Sequence, residues 1–244
     1  MDLKTQEIKK IGISDVDYKG QYQLCHLFNR FATIATENAL QIGMWNPQMM
    51  NDYGWVVAKQ TLTLDQPIML NDIIELTTIA GKGTFVAFPR YYFIYKDKKE
   101  IGRCSSLWTL IDIKNRRIVS PQRIGINIPQ MDHQIKLDSP KNISEDIELH
   151  FITKRQVLYS DVDTNQHMNN TRYIQWAFDI IDYHIHENHY VKEISINYKK
   201  EIKPLEYVNL YLGQDQQRFI IKGEGEQGEI FFMIEIYFTE RTFS

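Results

Sequence analysis

The sequence predicts an α+β protein built twice over, each half a long helix packed on a curved antiparallel sheet. Three observations predict it. Apolar residues recur at three-and-four spacing across residues 27–42, the period of a helix with one buried face. Short runs rich in β-branched and aromatic residues follow, separated by polar turns, as strands of one meander would be. The same order of loop, helix and strands then returns after residue 150.

In the first half, Leu27, Phe28, Phe31, Ile34, Ala35, Ala39 and Ile42 mark the helix, and Gly43 closes it. Strands are expected over residues 54–64, 72–80, 84–95 and 100–113, with polar turns at 97–99 and 114–117. In the second half a helix is expected over 169–186, with Tyr173, Ala177, Ile180, Ile181 and His184 on one face. Strands at 192–200, 206–213, 218–222 and 229–239 follow, and the glycine-rich stretch 223–228 makes a hairpin loop. The repeat is also visible residue by residue. Leu62-Thr-Leu-Asp-Gln-Pro-Ile68 followed by Asp72-Ile-Ile-Glu-Leu76 aligns without gaps on Ile196-Asn-Tyr-Lys-Lys-Glu-Ile202 followed by Glu206-Tyr-Val-Asn-Leu210. Residues 121–149, rich in Pro, Asp, Lys and Asn without a period, read as a linker laid over the surface between units at 1–120 and 150–244. A helix wrapped by a curved sheet, twice in tandem, is the pattern of a double hot-dog.

Composition removes several functions. A formal charge of −3 and an isoelectric point near 6.2 do not suit a nucleic-acid binder driven by net charge. Two cysteines, Cys25 and Cys104, make neither a disulfide framework nor a paired-cysteine zinc motif. No run approaches the roughly 20 apolar residues of a membrane span, and residues 1–10 have no signal-peptide character, so the expectation is a cytoplasmic protein. His184, His186 and His189 do not share one helix face, and the dipole at a helix C-terminus accounts for them better than a metal. Cys25 and His26, as neighbours in sequence, point apart. Neither a metal nor a cofactor is expected.

The stretch Asp163-Thr-Asn-Gln-His167 is where chemistry is expected. It sets a carboxylate, an amide and an imidazole at alternate positions on a polar turn that runs into a helix, whose first N–H groups point back toward them. Such an arrangement suits the holding of a polarised carbonyl.

The longer run Asp163-Thr-Asn-Gln-His-Met-Asn-Asn-Thr-Arg-Tyr-Ile-Gln-Trp176 resembles the signature of the acyl-acyl carrier protein thioesterases, the family of the plant plastid enzymes and their bacterial relatives. Trp55-Val-Val-Ala-Lys59, Gly102-Arg-Cys-Ser-Ser-Leu-Trp108 and Ile196-Asn-Tyr-Lys-Lys-Glu201 extend the resemblance along most of the chain. The resemblance implies an enzyme of fatty acid biosynthesis. It would hydrolyse the thioester between a fatty acyl chain and the phosphopantetheine arm of acyl carrier protein. It also implies catalytic roles for Asp163, Asn165, His167 and Glu201. Plant members carry a cysteine directly after that glutamate; here Ile202 stands there, so water is the expected nucleophile. Glu201 is the expected base, its pKa raised by enclosure and opposed by Lys199 or Lys200. Asn165 would orient the water or the glutamate, His167 would polarise the carbonyl or share base duty, and Asp163 would fix a ring nitrogen or the loop. Backbone N–H groups near residues 168–170 would face the oxyanion.

Pro67 occupies the position aligned with Glu201, and no Asp-x-Asn-x-His run precedes the first helix. The first half is therefore expected to shape an acyl pocket, with Phe28, Phe31, Ile34, Met44, Trp45 and Phe88 as lining. Acyl carrier proteins are generally acidic, so Lys199, Lys200, Lys203 and Arg172, with Lys154 and Arg155, are expected at the docking face. An acyl-coenzyme A thioesterase or a non-catalytic acyl-thioester-binding protein on the same fold are the alternatives, and the chain could be a monomer or a homodimer.

Overall fold

A computed structural model describes residues 3–126, 128–129 and 137–240. The strands and helices run in the order β1 (Lys4–Lys10), α1 (Leu24–Gln41), β2 (Tyr53–Leu64), β3 (Ile73–Ala80), β4 (Phe88–Lys96), β5 (Lys99–Asp112), β6 (Arg117–Ile118), β7 (His150–Gln156), α2 (Asn170–Asp179), α3 (Tyr183–Asn188), β8 (His189–Tyr198), β9 (Tyr207–Asp215), β10 (Arg218–Glu224) and β11 (Ile230–Glu240). Among the described residues all eleven strands belong to one antiparallel sheet, ten of them in the order β1-β3-β4-β5-β2-β8-β11-β10-β9-β7, with the short β6 paired to β5. Read outward from the β2–β8 seam, the two sides carry equivalent strands in the same order. This is the expected double hot-dog.

The seam makes the repeat quantitative. β2 and β8 pair with Lys59 opposite Asn197, Thr61 opposite Ser195 and Thr63 opposite Glu193. The gapless alignment that puts Leu62 on Ile196 also puts Thr61 on Ser195, so a pseudo-twofold axis passes through that one pair. Its two hydroxyls lie 2.9 Å apart. The helices α1 and α2 pack behind the sheet and touch each other, and one continuous core unites both halves. Leu27, Phe28, Phe31 and Ile34 from α1 meet Tyr173, Ile174, Trp176 and Ala177 from α2. Burying such side chains, at about 1.5–3 kcal/mol each, is what holds the halves as one body.

Some expected boundaries differ. The helix expected over 169–186 is two: α2 ends at Asp179, and Asp182 caps α3 by accepting the His184 N–H at 2.8 Å. An aspartate offers the backbone a cap, and here that local bond outweighs the continuing apolar period. β1 was not expected, because every second residue of Lys4–Lys10 is exposed and the run reads as polar. Its equivalent across the axis is β7, likewise an edge strand. The strand expected from residue 84 starts at Phe88, since Thr84 and Ala87 close a turn on each other. The stretch 137–149 crosses the outer face of the seam: the Lys141 N–H donates to Thr61 Oγ1, and the Ile143 N–H donates to Asn197 Oδ1. No helix among the described residues is long and apolar enough to cross a membrane.

Candidate active site

The loop ahead of α2 is closed by its own backbone. Asp163 N–H donates to the His167 carbonyl (2.9 Å), Gln166 N–H to the Asp163 carbonyl (3.0 Å), and Asn165 N–H to Asp163 Oδ1 (2.8 Å). The loop ahead of α1 repeats this bond for bond. Asp17 N–H donates to the Gln21 carbonyl, Gly20 N–H to the Asp17 carbonyl, and Lys19 N–H to Asp17 Oδ1, each at 2.9 Å. Both loops turn through a left-handed residue, Gly20 in one and Gln166 in the other. That conformation costs a non-glycine residue roughly 1–2 kcal/mol, so the Asp163–His167 loop is held by its bonds rather than by local preference. Equivalence pairs Asp163 with Asp17, Asn165 with Lys19 and His167 with Gln21. Asp163 therefore performs a turn-building task that Asp17 performs where lysine and glutamine stand in place of Asn165 and His167.

The Met168 N–H donates to the Ile202 carbonyl at 2.8 Å, which ties the loop to the segment after β8 and brings Glu201 beside it. His167 Nε2 lies 3.5 Å from Glu201 Oε2, a direct contact longer than a normal N–H···O hydrogen bond. Both side chains are partly exposed. Ile202 is fully buried, and its role is in the core and in this backbone bond. Of the N–H groups of residues 168–170 expected to face an oxyanion, those of Met168 and Asn169 are already spent on the Ile202 and Asp161 carbonyls.

The cation on Glu201 is not an adjacent lysine. Arg116, from the turn between β5 and β6 in the first half, makes an ion pair with its carboxylate. Nothing in the sequence marked Arg116, because an arginine in a Lys-Asn-Arg-Arg turn reads as solvated; its left-handed backbone is what aims it inward. Burial, and then the Arg116 charge, hold His167 below its ordinary pKa of 6.5, against an opposing pull from Asp163. The ring is accordingly neutral at pH 7.

Asn165, His167, Glu201 and Arg116 line one cavity of about 510 Å³, and nearly all of its remaining wall comes from the first half. The α1 face toward it is small, made by Ala35, Thr36 and Ala39, while Trp55, Phe88 and Trp108 form the opposite wall from the sheet. Trp55 is locked by an Nε1–H bond to the Met44 carbonyl (3.0 Å) and an edge-to-face contact with Phe88. The space exists in this half because α1 continues to Gln41 with alanines on the inner face. In the second half the helix stops at Asp179, and Ile181 and Ile185 stand where Ala35 and Ala39 stand in the first. Of the expected lining, Met44, Trp45 and Phe88 are on the wall; Phe28, Phe31 and Ile34 are not, being packed in the central core. Helical period misassigned them, since it marks a buried face without saying which part of it meets empty space.

The expected docking cations are dispersed. Lys203 is close enough for its charge to act on His167, while Lys200 pairs with Glu229 at 3.2 Å and lies over Phe231. Lys199 is exposed, and Arg172 donates to Gln175. Lys154 pairs with Glu226, and Arg155 with Asp179. The three histidines at the α3 end have separate partners in Glu187, the Phe178 carbonyl and the Ile185 carbonyl. Among the described residues no group of His, Cys, Asp or Glu is placed to hold a metal. Cys25 is half-buried, and that burial raises its pKa, the opposite of a reactive thiol.

The family model for the acyl-ACP thioesterase N-terminal domain matches residues 2–123, and that for the C-terminal domain matches residues 144–239. The chain belongs to the acyl-ACP thioesterase family. It is 25% identical over 163 residues to the chloroplastic dodecanoyl-[acyl-carrier-protein] hydrolase of Umbellularia californica, a match covering 62% of this chain and 42% of that protein. To a chloroplastic acyl-[acyl-carrier-protein] hydrolase of Cuphea viscosissima it is 24% identical over 195 residues, 72% of this chain and 47% of that one. The matches thus span less than half the length of these plant relatives. The fold is that of an acyl-ACP thioesterase from Bacteroides thetaiotaomicron, with a TM-score of 0.82 at 18% identity over 98% of both chains. The 12:0-ACP thioesterase of Umbellularia californica is similar at a TM-score of 0.80 and 18% identity over 99% of both.

Proposed function

We propose that this chain hydrolyses the thioester of a fatty acyl group carried on acyl carrier protein, releasing the fatty acid and the free carrier thiol. The observation that carries the proposal is the junction of a cavity walled mainly by apolar and aromatic side chains of one half with a carboxylate, an imidazole and an amide from the other. An acyl chain takes the cavity, which leaves its thioester among Glu201, His167 and Asn165.

In this reading Glu201 accepts a proton from water while the oxygen attacks the thioester carbon. The Arg116 guanidinium pairs with the carboxylate and orients it, which makes Arg116 a positioning residue. Neutral His167 contacts Glu201 and shares the proton. With the Met168 and Asn169 N–H groups committed elsewhere, the Asn165 amide on the cavity wall supplies a side-chain donor for the oxyanion. Collapse breaks the carbon–sulfur bond, and the thiolate takes the proton back from Glu201 or His167. Asp163 builds the loop and tunes His167. Lys203, whose charge reaches His167, is the expected docking cation nearest this site and would meet an acidic carrier.

The test is hydrolysis of acyl carrier protein thioesters by the parent and by Glu201→Gln, with matched coenzyme A thioesters in parallel. Loss of a general base predicts a fall of about 10²–10⁴ in kcat at unchanged melting temperature. Hydrolysis by Glu201→Gln at the parental rate would overturn the assignment. Equal kcat/KM on carrier and coenzyme A substrates would keep the chemistry and remove the carrier as the specific partner.

A further inference from the structure

At the other end of the cavity wall lies a charge that the proposed hydrolysis does not use. Arg90 on β4 sits opposite Ser106 of β5, whereas Arg116 and Glu201 meet beyond Asp112, where β5 ends. About six residues of strand separate the two levels, roughly 20 Å. Arg90 lines the cavity, yet only 6% of its surface is exposed. Among the described residues no carboxylate pairs with it.

Its hydrogen bonding is also incomplete. A guanidinium has five N–H donors and no acceptor. Nη1 donates to Asn38 Oδ1 at 2.7 Å and to Thr78 Oγ1 at 3.2 Å, and no protein acceptor among the described residues meets Nε or Nη2. The two acceptors are themselves built in. Asn38 and Thr78 are fully buried, and the Asn38 amide is held in turn by the Leu3 carbonyl and Thr5 Oγ1. Burial pulls the Arg90 pKa down, but an arginine in a protein stays charged.

An uncompensated buried cation is costly, and a hydrocarbon end pushed against it would strip whatever solvates it and return nothing. We propose that Arg90, held in place by Asn38 and Thr78, forms a second, polar subsite that receives an acceptor oxygen on the distal part of the acyl chain, a terminal carboxylate above all. The cavity then prefers chains carrying oxygen at the far end to methyl-ended chains of the same length. The inference rests on the acyl-thioester reading of the same cavity.

The experiment compares methyl-ended, ω-hydroxy and ω-carboxy acyl thioesters of equal length on the parent, on Arg90→Met and on Asn38→Asp. The second variant places a carboxylate beside Nη1 and neutralises the site from within. Expected is an ω-carboxy to methyl ratio of kcat/KM at least tenfold higher in the parent than in either variant. Because each ratio is internal to one preparation, partial loss of folded protein cancels. The same ratio in all three proteins would overturn the subsite. Calorimetry with the free acids separates this from the hydrolysis itself: a dicarboxylic acid binding the parent more tightly than the monocarboxylic acid, with that preference lost in Asn38→Asp, supports the subsite even if no thioester is cleaved. No preference in the parent sinks it.

Discussion

Replacing Ala39 by leucine should shorten the acyl chain that this protein accepts. Ala39 lies on the inner face of α1 and lines the cavity near Met44, Phe88 and Trp108. Leucine is a good helix former, so the backbone tolerates it. The three added carbons occupy space otherwise open to about three methylenes of substrate, each worth about 0.8 kcal/mol when buried. Chains long enough to reach that depth thus lose about 2.4 kcal/mol of transition-state binding, roughly 60-fold in kcat/KM. Chains ending short of it should be turned over at the parental rate. The assay is kcat/KM over a series of acyl carrier protein thioesters of increasing length, with Phe31→Ala as the contrast. Phe31 is fully buried and stacks on Tyr92 away from the cavity, so its truncation should cost about 3–5 kcal/mol of stability with no change in the order of preference. Uniform loss across all lengths in Ala39→Leu, or a shifted preference in Phe31→Ala, would refute this placement of the acyl wall.

Three other outcomes follow. His167 has a pKa lowered by burial and by Arg116, so it should lose its proton below pH 6.5 and the acid limb of the pH–rate profile should lie under that value; Arg116→Gln removes the repelling charge and should raise the His167 pKa in an NMR titration, an unmoved value counting against the contact. Asp163→Asn keeps the Oδ1 acceptor of the loop, so its melting temperature should match the parent while the His167 pKa falls further, whereas Asp163→Ala loses the bond to the Asn165 N–H and about 1 kcal/mol; equal destabilisation of the two would show that the turn is not what Asp163 supports. Thr61→Val, at the pseudo-twofold axis, leaves the buried Ser195 hydroxyl and the Lys141 N–H without their partner and should lower unfolding free energy in denaturant titration by about 1–3 kcal/mol, with an unchanged value arguing against that network.

Much of the molecule is legible in the sequence alone. The helices and most strands announced themselves because periodic burial needs periodic sequence, and the internal alignment already contained the register of the central seam: Thr61 maps on Ser195, and that pair lies on the axis. The loop Asp163–His167 was legible too, through turn-forming residues set before a helix. Edge strands were not. β1 and β7 keep a polar, half-exposed pattern because they sit at the ends of the sheet, where one row of backbone groups faces solvent and little hydrophobicity is required.

What the sequence by itself determined is therefore the duplicated α+β plan, the family resemblance and the short list of polar side chains in the second half. The tertiary structure alone decided which groups from the first half meet them. Arg116 reaches Glu201 because a left-handed turn after β5 aims it there, and Arg90 lies in a wall with no carboxylate beside it among the described residues because the sheet folds it under α1. Neither contact leaves a trace in spacing or composition. Local preference is written in neighbours along the chain, but the charge that balances a carboxylate, and the hollow left between an alanine face and a tryptophan, exist only once distant segments are packed together.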